Sequence, residues 1–88
     1  MKIVRHKNFK KKYKKLPQGI KTKVNLAIKK FSSNPLDPSL KNHSLRGGMS
    51  GKRAISVTGD VRIIFEECDG YVLVVMLDVG THAQVYGM

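Results

Sequence analysis

The sequence predicts an α+β fold: a short N-terminal strand, then a helical hairpin packed on one face of a small, twisted, mainly antiparallel sheet. The order is β-α-α-β-β-β, with a further short strand near the C-terminus. Three observations carry this. Apolar residues in the first third recur at helical spacing, those in the last third alternate at period two or run together, and turn signatures divide the latter at short intervals. Eighty-eight residues suit one domain over 1–88, since a chain of this size buries only about two-thirds of its unfolded surface.

The opening MKIV alternates in the manner of a strand. The period then changes, and Phe9, Tyr13 and Leu16 fall at i, i+4 and i+7, one stripe of a short helix otherwise covered by lysine. Pro17 suits the start of a second helix, whose stripe is Ile20, Val24, Ala27, Ile28 and Phe31. The run SSNP ends it, because Pro35 cannot continue a helix and restricts Asn34. From Pro35 to Gly51 no period is visible, and so long a loop in a small domain points to function or to hidden structure.

Period two returns in KRAISV, which sets Ile55 and Val57 against Ala54 and Ser56, with a turn at Thr58-Gly59-Asp60. In the next strand Val61, Ile63 and Phe65 share one face, Arg62, Ile64 and Glu66 the other. Cys68-Asp69-Gly70 carries the Asp-Gly sign of a tight hairpin. YVLVVMLDV is apolar on both faces and reads as a central strand, covered by the helices on one side and by other groups on the second. Residues 83–86 read as the short terminal strand. With the helices on the Ile63 face, Arg62 is expected on a face that no remaining element covers.

Charge narrows the function. Residues 1–36 hold twelve Lys or Arg and no acid, while 37–88 hold five against all six acids. Such a basic half suits a polyanion or an acidic partner protein, against the plainer reading of a lysine face kept for solubility. A lone Cys68 without metal-ligand spacing, a charged start and no long apolar run lead us to expect a cytoplasmic protein without disulfide, membrane span, metal or cofactor.

Hairpin-linked strands should bring Arg53, Asp60, Arg62 and His82 to one cluster, with Tyr86 from the tail and His43 or Arg46 from the loop. Arginine offers fixed bidentate donors to phosphate, and histidine a proton near neutral pH. Attack of a 2′-hydroxyl on its neighbouring phosphate needs such a set and no metal. Each residue also has a local reading: His82 as a loop histidine, Tyr86 as an anchor, Asp60 as a turn residue, Arg62 as a partner of Glu66 or Glu67. The residues alone therefore give a basic α+β domain that binds RNA, with catalysis and plain binding both open.

The pattern H-x-L-x-G, G-x-R, a Gly-Asp turn, R-I-I-F and G-T-H-x-x-x-Y, in that order over nearly the entire chain, resembles the RelE/ParE superfamily of type II toxins. Its YafQ and RelE-like members are ribosome-dependent mRNA endoribonucleases. The resemblance implies that His82 is a general acid or base, that Tyr86 orients or stacks on the cleaved nucleotide, and that Arg62 steadies the scissile phosphate. Asp60 matches the turn aspartate of the YafQ pattern, His43 the histidine of H-x-L, and Arg53 an arginine at its strand start. The sequence departs from the pattern at Ser56, in place of a second histidine, at Val61, in place of tryptophan, and at Asp78, in place of arginine. An acid at Asp78 would oppose phosphate if it faced the site.

The same resemblance implies a toxin that enters the ribosomal A site and cleaves mRNA, a monomer that becomes oligomeric with a cognate acidic antitoxin. Lys10, Lys11, Lys14, Arg46, Lys52 and Arg53 would hold RNA. Its alternatives on the same fold are a ParE-like toxin that binds DNA gyrase, and a catalytically weakened relative that binds RNA or antitoxin.

Overall fold

In a computed structural model that describes residues 1–87, the chain forms one five-stranded sheet with strand order β1-β5-β4-β3-β2. The strands are β1 (Lys2–Arg5), β2 (His43–Ser44), β3 (Arg53–Ser56), β4 (Val61–Cys68) and β5 (Leu73–Thr81). The helices are α1 (Lys7–Lys14), α2 (Gln18–Ser33) and α3 (His82–Tyr86). Strand β1 joins the inner strand β5 in parallel, as a strand returning after a helical crossover does, and the other pairings are antiparallel.

The two helical stripes read from the sequence close the main core. Phe9 from α1 and Val24, Ala27, Ile28 and Phe31 from α2 pack on Ile55, Ile63, Phe65, Val74 and Met76 of the sheet. Phe31 meets Phe65 edge-on at 4.9 Å, and Tyr71 lies 6.0 Å from Phe31, so an aromatic triad closes one end. Phe65→Ala should therefore cost about 3–5 kcal/mol in chemical denaturation, the ordinary loss for a buried phenylalanine. A loss below about 1 kcal/mol would mean that the ring is not a core element.

Four sequence readings are corrected or resolved. Strand β5 begins at Leu73 rather than Tyr71, because residues 69–72 form a wider loop in which Asp69, Gly70 and Tyr71 all take positive φ. The loop after α2 hides structure, since Asp37 caps a one-turn 3-10 helix at Pro38–Leu40 that buries Leu40, and His43–Ser44 add an edge strand to β3. The Ser39 hydroxyl, then its amide, hold the Asp37 carboxyl below its ordinary value. That contribution is present above the unfolded carboxyl pKa and fades as pH falls through the lowered one.

The third correction is at the C-terminus, where residues 83–86 are helical, not extended. The fourth follows from it. Far from being bare, the sheet face opposite α1 and α2 carries a second small core of Ala54, Ile64 and Val85, with Leu45, Met49, Leu77 and Tyr86 around it. Helix α3 and residues 45–49 thus cover part of the face that bears Arg62. A register shift makes room for this: Ile64 faces Asp78 while Phe65 faces Met76, leaving Leu77 as the extra residue of a bulge in β5.

Candidate functional site

The β3–β4 turn and the end of β5 build the site. Thr58 holds the turn, its hydroxyl accepting from the amides of Asp60 (3.2 Å) and Val61 (3.0 Å). Arg62 pairs with Ser56 on one side and Gly80 on the other, so Ser56, Arg62 and Gly80 form one row across the sheet. Beyond that row the His82 amide donates to the Asp60 carbonyl at 2.9 Å, extending the β4–β5 ladder to the first residue of α3. The Asp60 carboxylate lies 3.4 Å from the same amide.

Helix α3 is one short amphipathic turn. Thr81 caps it and accepts from the Gln84 amide at 3.2 Å, while Gln84 Oε1 accepts from the Thr81 amide at 2.8 Å. Val85 anchors it in the second core, and Gly87 ends it with φ of 71°. His82 and Tyr86, four positions apart, share one face of the helix. Their rings meet edge-on with centroids 4.4 Å apart.

Arg62 is half-buried and folds over the turn. Nη1 donates to the carbonyls of Thr58 (3.0 Å) and Val61 (3.2 Å), and Nη2 to that of Gly59 (3.2 Å). A guanidinium carries five N–H groups, so some remain for an anion. The plainer alternative, a pairing with Glu66 or Glu67, does not form: the Glu67 carboxylate accepts from the Tyr71 amide instead. Asp78 is also occupied. Lys12 meets it at 2.9 Å, and Asp78 Oδ1 accepts from the Val79 amide, so its charge is met before it reaches a phosphate.

Of the sequence candidates, the structure brings together Asp60, Arg62, His82 and Tyr86. Arg53 is not with them: it pairs with Phe65, across the pleat from Ala54 and so toward α1 and α2, and its Nε donates to Asn42 at 2.8 Å. Asn42 in turn donates to the Tyr71 hydroxyl and the Pro35 carbonyl, which makes Arg53 part of the loop's anchorage. His43 lies opposite Ala54, on the site's face but two strands and two residues from Arg62, about 12 Å away from strand spacing and rise. Its Nδ1 contacts the Lys41 carbonyl at 2.8 Å.

Arg46 is exposed and Lys52 half-buried on the loop whose Leu45 and Met49 reach the second core. Lys10, Lys11 and Lys14 border a shallow depression of α1, in the layer on the other side of the sheet. A groove of about 640 Å³, floored by Leu16, Ile20, Val61 and Val79, runs from Lys12 and Lys15 to Thr81 and Gln84. Among the described residues no three His, Cys, Asp or Glu side chains gather as a metal site, and no helix is long and apolar enough to cross a membrane.

Sequence reasoning missed Thr81, Gln84 and the turn carbonyls. The signal for the first two was present: T-x-x-Q at 81–84 is a helix-start signature.

A helical pair on one face of this sheet, with a histidine, an aromatic and an arginine at one strand end, defines a toxin of the RelE/ParE superfamily. The chain belongs to the family described as bacterial toxin of type II toxin-antitoxin system, YafQ, whose profile matches residues 1–87. It is similar to YafQ of Escherichia coli strain BL21(DE3), at 27% identity over 97% of each chain and a TM-score of 0.78. YafQ in the E. coli DinJ–YafQ complex matches at 26% identity over 97% of each chain, with a TM-score of 0.69. A YoeB/ParE toxin from Agrobacterium tumefaciens shares the fold, with a TM-score of 0.76 at 19% identity over 93% of this chain and 99% of that one. No curated protein sequence matches the chain.

Proposed function

We propose that this toxin is a metal-independent, ribosome-dependent mRNA endoribonuclease. The observation that carries the reading is the convergence of His82, Tyr86, Asp60 and Arg62 on one strand end, half-open to solvent. In the reaction the 2′-oxygen attacks the adjacent phosphorus and the bond from phosphorus to the 5′-oxygen breaks, giving a 2′,3′-cyclic phosphate and a 5′-hydroxyl. The Asp60 carboxylate takes the 2′-hydroxyl proton and His82, as imidazolium, gives one to the departing 5′-oxygen. Arg62 holds the non-bridging oxygens as their charge grows, and Tyr86 backs the imidazole and offers its open face to a base. His43, about 12 Å from Arg62 by strand geometry, suits the neighbouring nucleotide.

The protein acts as a single domain in the cytoplasm. Lys10, Lys11 and Lys14, in the helix layer, attach to ribosomal RNA without reading sequence, and Arg46 and Lys52 flank the message. DinJ–YafQ is a toxin-antitoxin complex, and a cognate acidic antitoxin, oligomeric with an otherwise monomeric toxin, is the partner that the charge of residues 1–36 fits.

Primer extension on a message translated in a cell-free system tests this, against the same message without ribosomes. Cuts that need ribosomes are the expected result. Inhibition of gyrase supercoiling with translation intact would replace the nuclease by a ParE-like gyrase toxin.

A further inference from the structure

We infer that Gln84 is a positioning residue for His82, and that Gly80 is glycine so that Gln84 can take this role. The inference rests on the nuclease reading for its kinetic part only. Helix α3 has five residues, too few to hold itself in water, so the direction of its first side chain depends on what fixes its first turn. Two amides at that turn are fixed, one from outside the helix and one by the helix's own third residue. The His82 amide is held by the Asp60 carbonyl, and the Thr81 amide by Gln84 Oε1 at 2.8 Å.

The fold leaves room for this closure at one place. Gly80 is buried at the end of β5, and a Cβ there would stand 2.7 Å from Gln84 Oε1 and 3.2 Å from Gln84 Cβ. Any larger residue therefore displaces the Gln84 side chain from the Thr81 amide. The need for glycine is steric, from the close approach of Gln84, and no positive φ is involved.

Gln84 itself is exposed, and its contacts run to Thr81 rather than to the His82 and Tyr86 rings. It would act through the helix start: with the box closed, the His82 imidazole stands edge-to-face with the Tyr86 ring, two residues beyond the row of Arg62 and Gly80. With it open, the first turn frays and the ring loses its direction.

The test compares Gln84→Ala, Gly80→Ala, the double variant and Gln84→Glu in the full-length protein. Steady-state cleavage of ribosome-bound message is read together with the NMR signals of the His82 ring, with His6 and His43 as internal controls. We expect Gln84→Ala and Gly80→Ala each to lower kcat about 10- to 100-fold, the scale of a small misplacement of a reacting group, with KM within about twofold. The His82 ring signals should move toward those of an unstructured histidine as the Tyr86 ring effect is lost, while His6 and His43 stay in place.

Glutamate at this position closes the same box, so Gln84→Glu should restore both readouts. The double variant should be no worse than either single one, because both remove one interaction. Unmoved His82 signals in Gln84→Ala, or a lowered kcat that Gln84→Glu does not restore, would overturn the assignment. A parent protein that cuts no message defeats the nuclease reading instead, and the His82 signals alone then decide whether Gln84 positions the ring.

Discussion

His82→Ala is expected to slow message cleavage by about 10²- to 10⁴-fold, the range lost with a proton-transferring side chain. The fold should survive the change. His82 is half-buried at the first position of α3, and its amide reaches the Asp60 carbonyl whatever the side chain. Alanine is the best helix former, and the lost edge contact with Tyr86 is worth about 1 kcal/mol. Stability by thermal melting should therefore change little while the rate collapses.

A second variant separates proton transfer from orientation. His82→Gln keeps a polar side chain able to hydrogen-bond a phosphate or a ribose, but it moves no proton. If His82 is the acid that protonates the 5′-oxygen, the glutamine variant should be as slow as the alanine one. A glutamine variant within about tenfold of the parent would make His82 a binding group. Cleavage at the parental rate in His82→Ala would remove it from the chemistry.

The sequence made the helical layer plain because each stripe has several repeats. Phe9, Tyr13 and Leu16, then Ile20 to Phe31, repeat often enough to assign both helices and their buried faces, and all of them reach the main core. Short elements carry no such repeat. The two residues of β2 cannot show a period, and it is the edge of β3 that defines them as a strand. Helix α3 is likewise shorter than two turns, so its apolar pattern is Val85 alone, and only its capping signature was legible.

The site was legible in part for the same reasons. Arg62 and His82 follow from period two and from hairpin connectivity, which set Arg62 beside Gly80 and His82 two residues further on, against Asp60. Arg53 was misplaced although period two contains the answer: two residues before Ile55, it shares the Ile55 face, under the helices. Asp78 was not decidable at all. Its partner Lys12 lies 66 positions away, and the bulge at Leu77 that turns this stretch of β5 is a product of packing, not of local spacing.

Arg62→Ala should lower the cleavage rate by about 10²- to 10³-fold, the usual loss when a donor to developing transition-state charge is removed. Arg62→Lys should recover little of it. Lysine supplies the charge from a single point without the planar fork, and it cannot hold three turn carbonyls while meeting a phosphate. The difficulty is that Arg62 does two things at once. It clamps Thr58, Gly59 and Val61, and so its removal could slow the reaction by loosening the turn that carries Asp60.

Thr58→Ala resolves this, because the Thr58 hydroxyl holds the same turn through the Asp60 and Val61 amides and has no charge to offer a phosphate. Both substitutions should cost about 1 kcal/mol of stability, since water can replace bonds at a half-open turn. The rates should separate them: less than tenfold for Thr58→Ala if Arg62 acts on phosphate directly. Equal losses would mean that Arg62 serves the site through the turn. The cation facing the phosphate would then have to come from the loop bearing Arg46 and Lys52.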